Sequence, residues 1–135
     1  DVAFDYVFSS PLQRAMTTAI SIVGDYVDII YDDRLKERSY GDWSGLNKSD
    51  VRNKIGDDAF FSARRGWETS PPNGESLKDV SLRVLSFIES LPISGNILVV
   101  SHGNTIRAIS VLLGINTEEE VSSYEIKTGT FLLYE

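Results

Sequence analysis

The chain has 135 residues, 41% of them hydrophobic, the length and apolar content of a single globular domain with a real core. Its net charge of −7 argues against a general nucleic-acid or anionic-membrane binder, because both reward a positive surface, yet it leaves room for a small anionic substrate held by local cations. No cysteine and a single histidine exclude disulfides, leave no usual metal site for zinc, and agree with a reducing, cytoplasmic setting.

No run of about 18 apolar residues is present to predict a membrane span. The opening Asp1-Val2-Ala3-Phe4 has neither the basic start nor the apolar stretch of a secretory signal. A strand already under way at these residues, with no initiator methionine, is expected of a piece of something longer.

Phe4-Asp5-Tyr6-Val7-Phe8 alternates like a strand, and Ser9-Ser10-Pro11 follows. Ser10 suits an N-cap and Pro11 the first helical turn. Leu12, Ala15, Met16, Ala19, Ile20 and Val23 then recur at helical intervals up to Gly24. Val27 to Tyr31 predicts a short second strand. Asp32 to Leu46, with Gly41 and Gly45 among aromatic and charged residues, predicts an ordered loop.

Asn47 can cap a helix through about Ile55, with Gly56 as its end, and Asp57-Asp58 opens another reaching Arg64-Arg65. Ser70-Pro71-Pro72-Asn73-Gly74 is a break. Ser76 starts a long amphipathic helix with Leu77, Val80, Val84, Phe87, Ile88 and Leu91 on one face. After a turn from Pro92 to Gly95, residues 96–100 read as a buried strand and 104–113 as a helix. Glu118-Glu119-Glu120-Val121 begins a brief surface helix, and Thr130 to Tyr134 closes as a strand. The alternation predicts one α/β domain over residues 1–135, three layers αβα with a mostly parallel sheet flanked by helices.

The most informative feature is the lone histidine. In Val100-Ser101-His102-Gly103-Asn104 it follows a strand and precedes a helix, where backbone N–H groups and the positive end of a helix dipole converge on one spot. Ligands of open α/β sheets usually bind there. A capping or partly buried histidine without chemical role is the plain alternative, and the setting favours the phosphate site. Arg14, one turn into the first helix, can swing its guanidinium over the strand end and fork onto phosphate oxygens. Glu37, in a loop beyond the second strand, is positioned for general acid or base work, although a loop glutamate is most often solvated surface. Lys48 and the pair Arg64-Arg65 read first as surface charge. Trp67, Pro71 and Pro72 suggest a packed cap that would aim the pair inward. Glu75 and Ser76 read as capping residues or as supports of the site.

Four segments carry a resemblance when taken in order. They are Ser9-Ser10-Pro11-Leu12-Gln13-Arg14-Ala15, the stretch Leu35 to Lys48, Pro71-Pro72-Asn73-Gly74-Glu75-Ser76-Leu77, and Val100 to Asn104. Together they resemble the histidine phosphatase superfamily, and more closely its cofactor-dependent phosphoglycerate mutases. The first and last segments are shared widely; Glu37 to Lys48 and the Arg64-Arg65 pair are more specific to the mutases. The likeness runs through the closing Thr128-Gly129 and Tyr134-Glu135.

This resemblance implies a phosphoglycerate mutase-like fold, truncated at its N-terminus to a C-terminal portion, and interconversion of 3- and 2-phosphoglycerate in glycolysis. In the family the nucleophile is a histidine in an Arg-His-Gly motif on an earlier strand. No Arg-His-Gly occurs here, and His102 matches the second histidine. By the same likeness His102 would hydrogen-bond the transferring phosphoryl group, Arg14 would bind its oxygens, and Glu37 would exchange a proton with the substrate hydroxyl. Tyr40, Lys48, Arg64 and Arg65 would grip the rest of a phosphoglycerate, and Gly103 and Asn104 would add contacts at the helix start. The cofactor would be 2,3-bisphosphoglycerate, with no metal, and the full-length protein a homodimer or homotetramer. Ser39, where many members carry another residue, is expected only to tune the loop. Residues 1–135 alone are expected to be unstable or aggregation-prone and inactive as a mutase. The competing readings are a phosphatase of the superfamily and a non-catalytic anion-binding module.

Overall fold

A computed structural model describes residues 3–25 and 27–134; Asp1, Val2 and Glu135, named above at the two ends of the chain, lie outside it. Strand β1 (Tyr6–Ser9) is the middle of a parallel sheet, flanked by β2 (Ile30–Tyr31) and β3 (Ile97–Val100). Tyr6, Val7, Phe8 and Ser9 lie opposite Ile97, Leu98, Val99 and Val100, while only Phe8 and Ser9 reach Ile30 and Tyr31. Parallel neighbours need crossover connections, and helix α1 (Gln13–Val23) makes the first of them. A longer excursion through α2 (Lys48–Ile55), α3 (Asp57–Arg65) and α4 (Leu77–Glu89) leads to β3, which runs on into α5 (Gly103–Leu112).

Side-chain alternation then builds three layers. Ala15 and Ala19 of α1 pack with Leu98 and Val100 on one face of the sheet. On the other face Val80, Val84 and Phe87 of α4 and Ala108 of α5 close over Phe8, Leu35 and Val99. Phe87 meets Phe8 edge to face at 5.3 Å, a geometry that suits the ring quadrupoles. The amphipathic stripe read from residues 77–88 is the buried stripe of α4. Its start is a capping box: Ser76 Oγ accepts the Asp79 N–H, and the Asp79 carboxylate accepts the Ser76 N–H. Asn47 likewise caps α2 by accepting from the N–H groups of Ser49 and Asp50.

Five expectations change. The first strand begins at Tyr6 rather than Phe4, because the Asp5 carboxylate takes the Asn96 N–H at 2.7 Å and regular pairing starts only beyond it. Helix α1 begins at Gln13 with Leu12 in the cap position, so Ser10 and Pro11 precede the helix; Ser10 Oγ does accept the Leu12 N–H. The second strand keeps only Ile30–Tyr31 of the expected 27–31, because the chain leaving α1 approaches β1 only at its carboxyl end. The acidic run forms a 3-10 turn at Glu120–Ser123. Residues 130–134 form no strand: their alternation is a strand signal, but they pair with none of the strands of the described sheet, and Phe131 stands 88% exposed. No helix among the described residues is long and apolar enough to cross a membrane.

Candidate active site

Because β1 and β3 run parallel and in register, the segments leaving them come out side by side. Ser9 lies opposite Val100, and the Ser10 N–H donates to the Val100 carbonyl at 2.9 Å. Two residues beyond Val100, His102 occupies the N-cap position of α5, and its buried Nε2 lies 2.9 Å from Ser10 Oγ. Burial pushes the imidazole below its ordinary pKa; the Glu37 carboxylate opposes that shift, and the guanidinium charges of Arg14 and Arg83 add to it. Charges from two further segments, Glu37 and Arg14, thus act on the same imidazole. Arg14 itself is exposed and enters no ion pair among the described residues.

The loop bearing Glu37 is rigid for backbone reasons that its composition only hinted at. Two 3-10 turns, Asp33–Leu35 and Gly41–Trp43, bracket it. Gly41 takes φ +55°, and a Cβ there would stand 2.3 Å from the Pro72 carbonyl oxygen. Two backbone bonds stitch the loop to the Pro-rich turn, from Asp42 N–H to Pro72 O at 2.9 Å and from Glu75 N–H to Ser39 O at 2.8 Å. One Glu37 carboxylate oxygen accepts the Arg38 N–H at 2.9 Å.

Tyr40 bridges this centre to a cavity of about 170 Å³ that it lines with Trp43, Lys48, Phe60 and Arg64. On the other side the Asn104 amide donates to the Tyr40 hydroxyl at 2.8 Å, so the cavity is tied to the first turn of α5. Arg64 lies over the Phe60 ring at 5.7 Å, and Lys48 is exposed at the head of α2. The neighbouring Arg65 goes elsewhere. Its guanidinium donates to the Ser122 carbonyl at 3.1 Å and lies 3.7 Å from Glu125, beside a separate hollow with Phe61 and Gly66. The Arg64-Arg65 pair is therefore split between two recesses. Gly103 sits at the helix start, where a Cβ would come within 3.2 Å of the Arg107 guanidinium.

Sequence reasoning passed over three arginines. Arg38 is 2% exposed and Arg107 7%, although arginine normally stays at the surface. Arg38 donates to the carbonyls of Ala63, Arg64, Thr69 and Glu75, joining the end of α3 to the loop that follows it. Arg107 holds the Asn104 side-chain oxygen at 3.2 Å and the Tyr124 carbonyl at 2.9 Å. Arg83, on the polar side of α4, pairs with Glu75 at 2.9 Å. Burial pushes the Glu75 carboxyl up, but the Arg83 hydrogen bonds, the Ser39 N–H and the Arg83 charge together hold it below the usual carboxylate range. A helical arginine three residues from Val80 gives no sequence signal for such a role.

The family model described as histidine phosphatase superfamily (branch 1) matches residues 1–131. The chain belongs to that superfamily. Among curated superfamily relatives, a protein of Beijerinckia indica subsp. indica named 2,3-bisphosphoglycerate-dependent phosphoglycerate mutase is 40% identical, covering 98% of this chain and 69% of its own length. A protein of the same name from Methylorubrum populi is 42% identical over 97% of this chain and 66% of its own. The chain thus spans about two thirds of the length of these relatives.

Solved structures agree on the fold. Bacillus stearothermophilus YhfR superposes with a TM-score of 0.79 at 25% identity, over 98% of this chain and 73% of that one. A mycobacterial glucosyl-3-phosphoglycerate phosphatase in complex with inorganic phosphate gives a TM-score of 0.75 at 26% identity, over 90% and 64%. The three-layer α/β architecture is that of these two solved structures.

Proposed function

We propose that the full-length protein is a 2,3-bisphosphoglycerate-dependent phosphoglycerate mutase, interconverting 3- and 2-phosphoglycerate through a phosphohistidine in cytoplasmic glycolysis and gluconeogenesis. The observation that carries this reading is the cavity holding Lys48 and Arg64, joined through Tyr40 and Asn104 to the helix that presents His102. A substrate with a phosphoryl group at one end and a carboxylate at the other needs two cationic grips a short distance apart, and a bare phosphate ester needs one.

In this reading His102 and Arg14 hold the transferring phosphoryl oxygens and stabilise the charge that develops on them. Gly103 and Asn104 border that phosphoryl position at the start of α5. Glu37 takes the proton from the substrate hydroxyl as its oxygen bonds to phosphorus and the phosphorus–nitrogen bond to the phosphohistidine breaks. In the reverse direction the P–N bond forms, the P–O bond breaks and Glu37 returns the proton. The histidine that carries the phosphoryl group between substrates is not among these 135 residues, since His102 is their only histidine. It comes from the Arg-His-Gly strand that the resemblance implies.

The donor set suits an anionic cofactor: Arg14, Lys48 and Arg64 form no ion pair among the described residues, and they would hold 2,3-bisphosphoglycerate. That group, when bound, supplies the phosphoryl group that primes the nucleophile. Arg65 joins them only by leaving Ser122 and Glu125. The reading needs no metal, since cations of the protein neutralise the phosphoryl charge. Its partners are a small phosphorylated substrate and further copies of itself in a homodimer or homotetramer, with no nucleic acid or membrane.

The test is turnover of 3-phosphoglycerate by the purified full-length gene product, with and without 2,3-bisphosphoglycerate. Stimulated formation of 2-phosphoglycerate supports the mutase. Release of inorganic phosphate alone favours the second reading, a phosphatase, which has support from the mycobacterial phosphatase of similar fold. Neither activity leaves the non-catalytic anion-binding module.

A further inference from the structure

The strip from Arg34 to Ser39 carries Glu37 without the support of a sheet, and beyond Leu35 without that of a helical turn, yet its polar groups are taken one after another by side chains. Arg83 Nη1 donates to the Arg34 carbonyl at 2.6 Å, and Nη2 to those of Lys36 at 3.0 Å and Glu37 at 3.3 Å. Ser101 Oγ donates to the Leu35 carbonyl at 2.6 Å, and Thr105 Oγ1 donates to that of Lys36 at 2.8 Å. The other side of the Arg83 fork grips Glu75, Nε to Oε2 at 2.9 Å and Nη2 to Oε1 at 3.2 Å. Glu75 Oε1 in turn accepts the Ser39 N–H at 2.9 Å.

One guanidinium–carboxylate pair therefore holds the main chain on both sides of Glu37, while the Glu37 carboxylate itself stays outside the pair. A surface ion pair that merely decorated α4 would not direct its donors at three carbonyls of one distant loop. Arginine suits the task because its planar fork spans several acceptors in a fixed geometry.

We infer that Arg83 and Glu75 form a positioning pair that holds the Glu37 carboxylate at the working distance from a phosphoryl group bound at His102 and Arg14. This rests on the acid–base role proposed for Glu37. Arg83 touches no substrate; it acts through the loop. Its loss should reduce turnover and leave substrate affinity nearly unchanged, because Lys48 and Arg64 lie on other segments.

The test compares Arg83→Met, Arg83→Lys, Glu75→Gln and Glu37→Gln in the full-length gene product, with Ile88→Ala as a control that loosens the far end of the same helix. A displacement of about 1 Å of a reacting group costs on the order of 100-fold in rate, so R83M is expected to lose about 10- to 100-fold in kcat with KM within about threefold. R83K should recover part of that loss, because an ammonium still reaches loop carbonyls. E75Q, which keeps the Ser39 acceptor, should be milder and reports the pair even where R83M fails to fold. Amide hydrogen exchange at Arg38 and Ser39 should rise in R83M, rise less in E75Q, and stay unchanged in I88A.

A kcat loss in R83M no larger than in I88A, a rise in KM alone, or unchanged exchange at Arg38 and Ser39 overturns the inference. If the wild-type protein only hydrolyses phosphate esters, the mutase reading fails; the positioning pair stands if R83M and E37Q then lower that hydrolysis together. A wild-type protein that turns over neither substrate overturns both.

Discussion

Ser10 and His102, 92 residues apart, meet at the carboxyl end of two parallel strands with Oγ 2.9 Å from Nε2. Both side chains are buried, so the pair also settles which way the imidazole faces. Ser10→Ala leaves that buried nitrogen without its partner. The expected cost is about 1–3 kcal/mol of folding stability, checked by urea unfolding of the full-length protein. An unchanged midpoint would mean that the contact is incidental.

The same burial links stability to pH. His102 is held below its ordinary value near 6.5, so in the window under that value the unfolded chain binds the proton and the folded chain does not. This contribution is complete above about pH 6.5 and is lost as the pH falls toward the folded value. The stability gap between wild type and His102→Gln should therefore narrow between pH 7.5 and 5.5 in thermal unfolding. A gap that widens on acidification would contradict a buried neutral imidazole.

Glu37 and Arg64 should fail in different ways. Glu37→Gln keeps the size and the contact with the Arg38 N–H, and should lower kcat by about 10²–10⁴-fold with little change in KM. Arg64→Ala removes a cation from the cavity and should raise KM by about tenfold or more, the effect of one charge-assisted hydrogen bond, while kcat changes less. Steady-state kinetics on 3-phosphoglycerate separates the two; a pair of variants with the same kinetic defect would rule out this division of labour.

Gly41→Ala tests the stitching of the Glu37 loop. At φ +55° any side chain is strained, and here the new methyl meets the Pro72 carbonyl oxygen as well. Destabilisation of about 2 kcal/mol or more is expected, with a loss of turnover, read by unfolding and by assay of the same preparation. Gly45→Ala also sits at positive φ but meets open space, and should cost less.

Residues 1–135 on their own leave the outer edge of β3 without a ladder partner, since the described sheet ends there in the order β2-β1-β3. An open edge of Ile97, Leu98, Val99 and Val100 invites pairing with another chain. This piece, expressed alone, should elute as aggregate in size-exclusion chromatography and show no mutase activity. A monodisperse monomer would show that the edge is covered by other means.

Much of this molecule was legible in residue order. Helical spacing in 12–23 and 77–88, the capping residues Asn47 and Ser76 and the strand-turn-helix around His102 are local signals, and each became the element it predicted. Four separated segments were enough to indicate the superfamily. Periodicity, however, reports that a face is buried and not what buries it. Thr130 to Tyr134 alternates properly and still forms no strand, because a strand also needs a paired neighbour and alternation does not supply one. Arg64 and Arg65 are adjacent in sequence, but on a helix of about 3.6 residues per turn neighbours point some 100° apart, and the two enter different recesses.

Only the tertiary structure decided the contacts that complete the candidate site: Ser10 against His102, Asn104 against Tyr40, and Arg83 with Glu75 around the Glu37 loop. Each joins residues distant in the chain through hydrogen bonds whose direction and length depend on how the layers pack. A buried arginine carries no mark in sequence that separates it from a solvated one. The local chemistry of the chain determined which elements form and which family they resemble. Packing determined which polar groups face one another, because a hydrogen bond needs its partner within about 3 Å, and only the folded chain sets that distance.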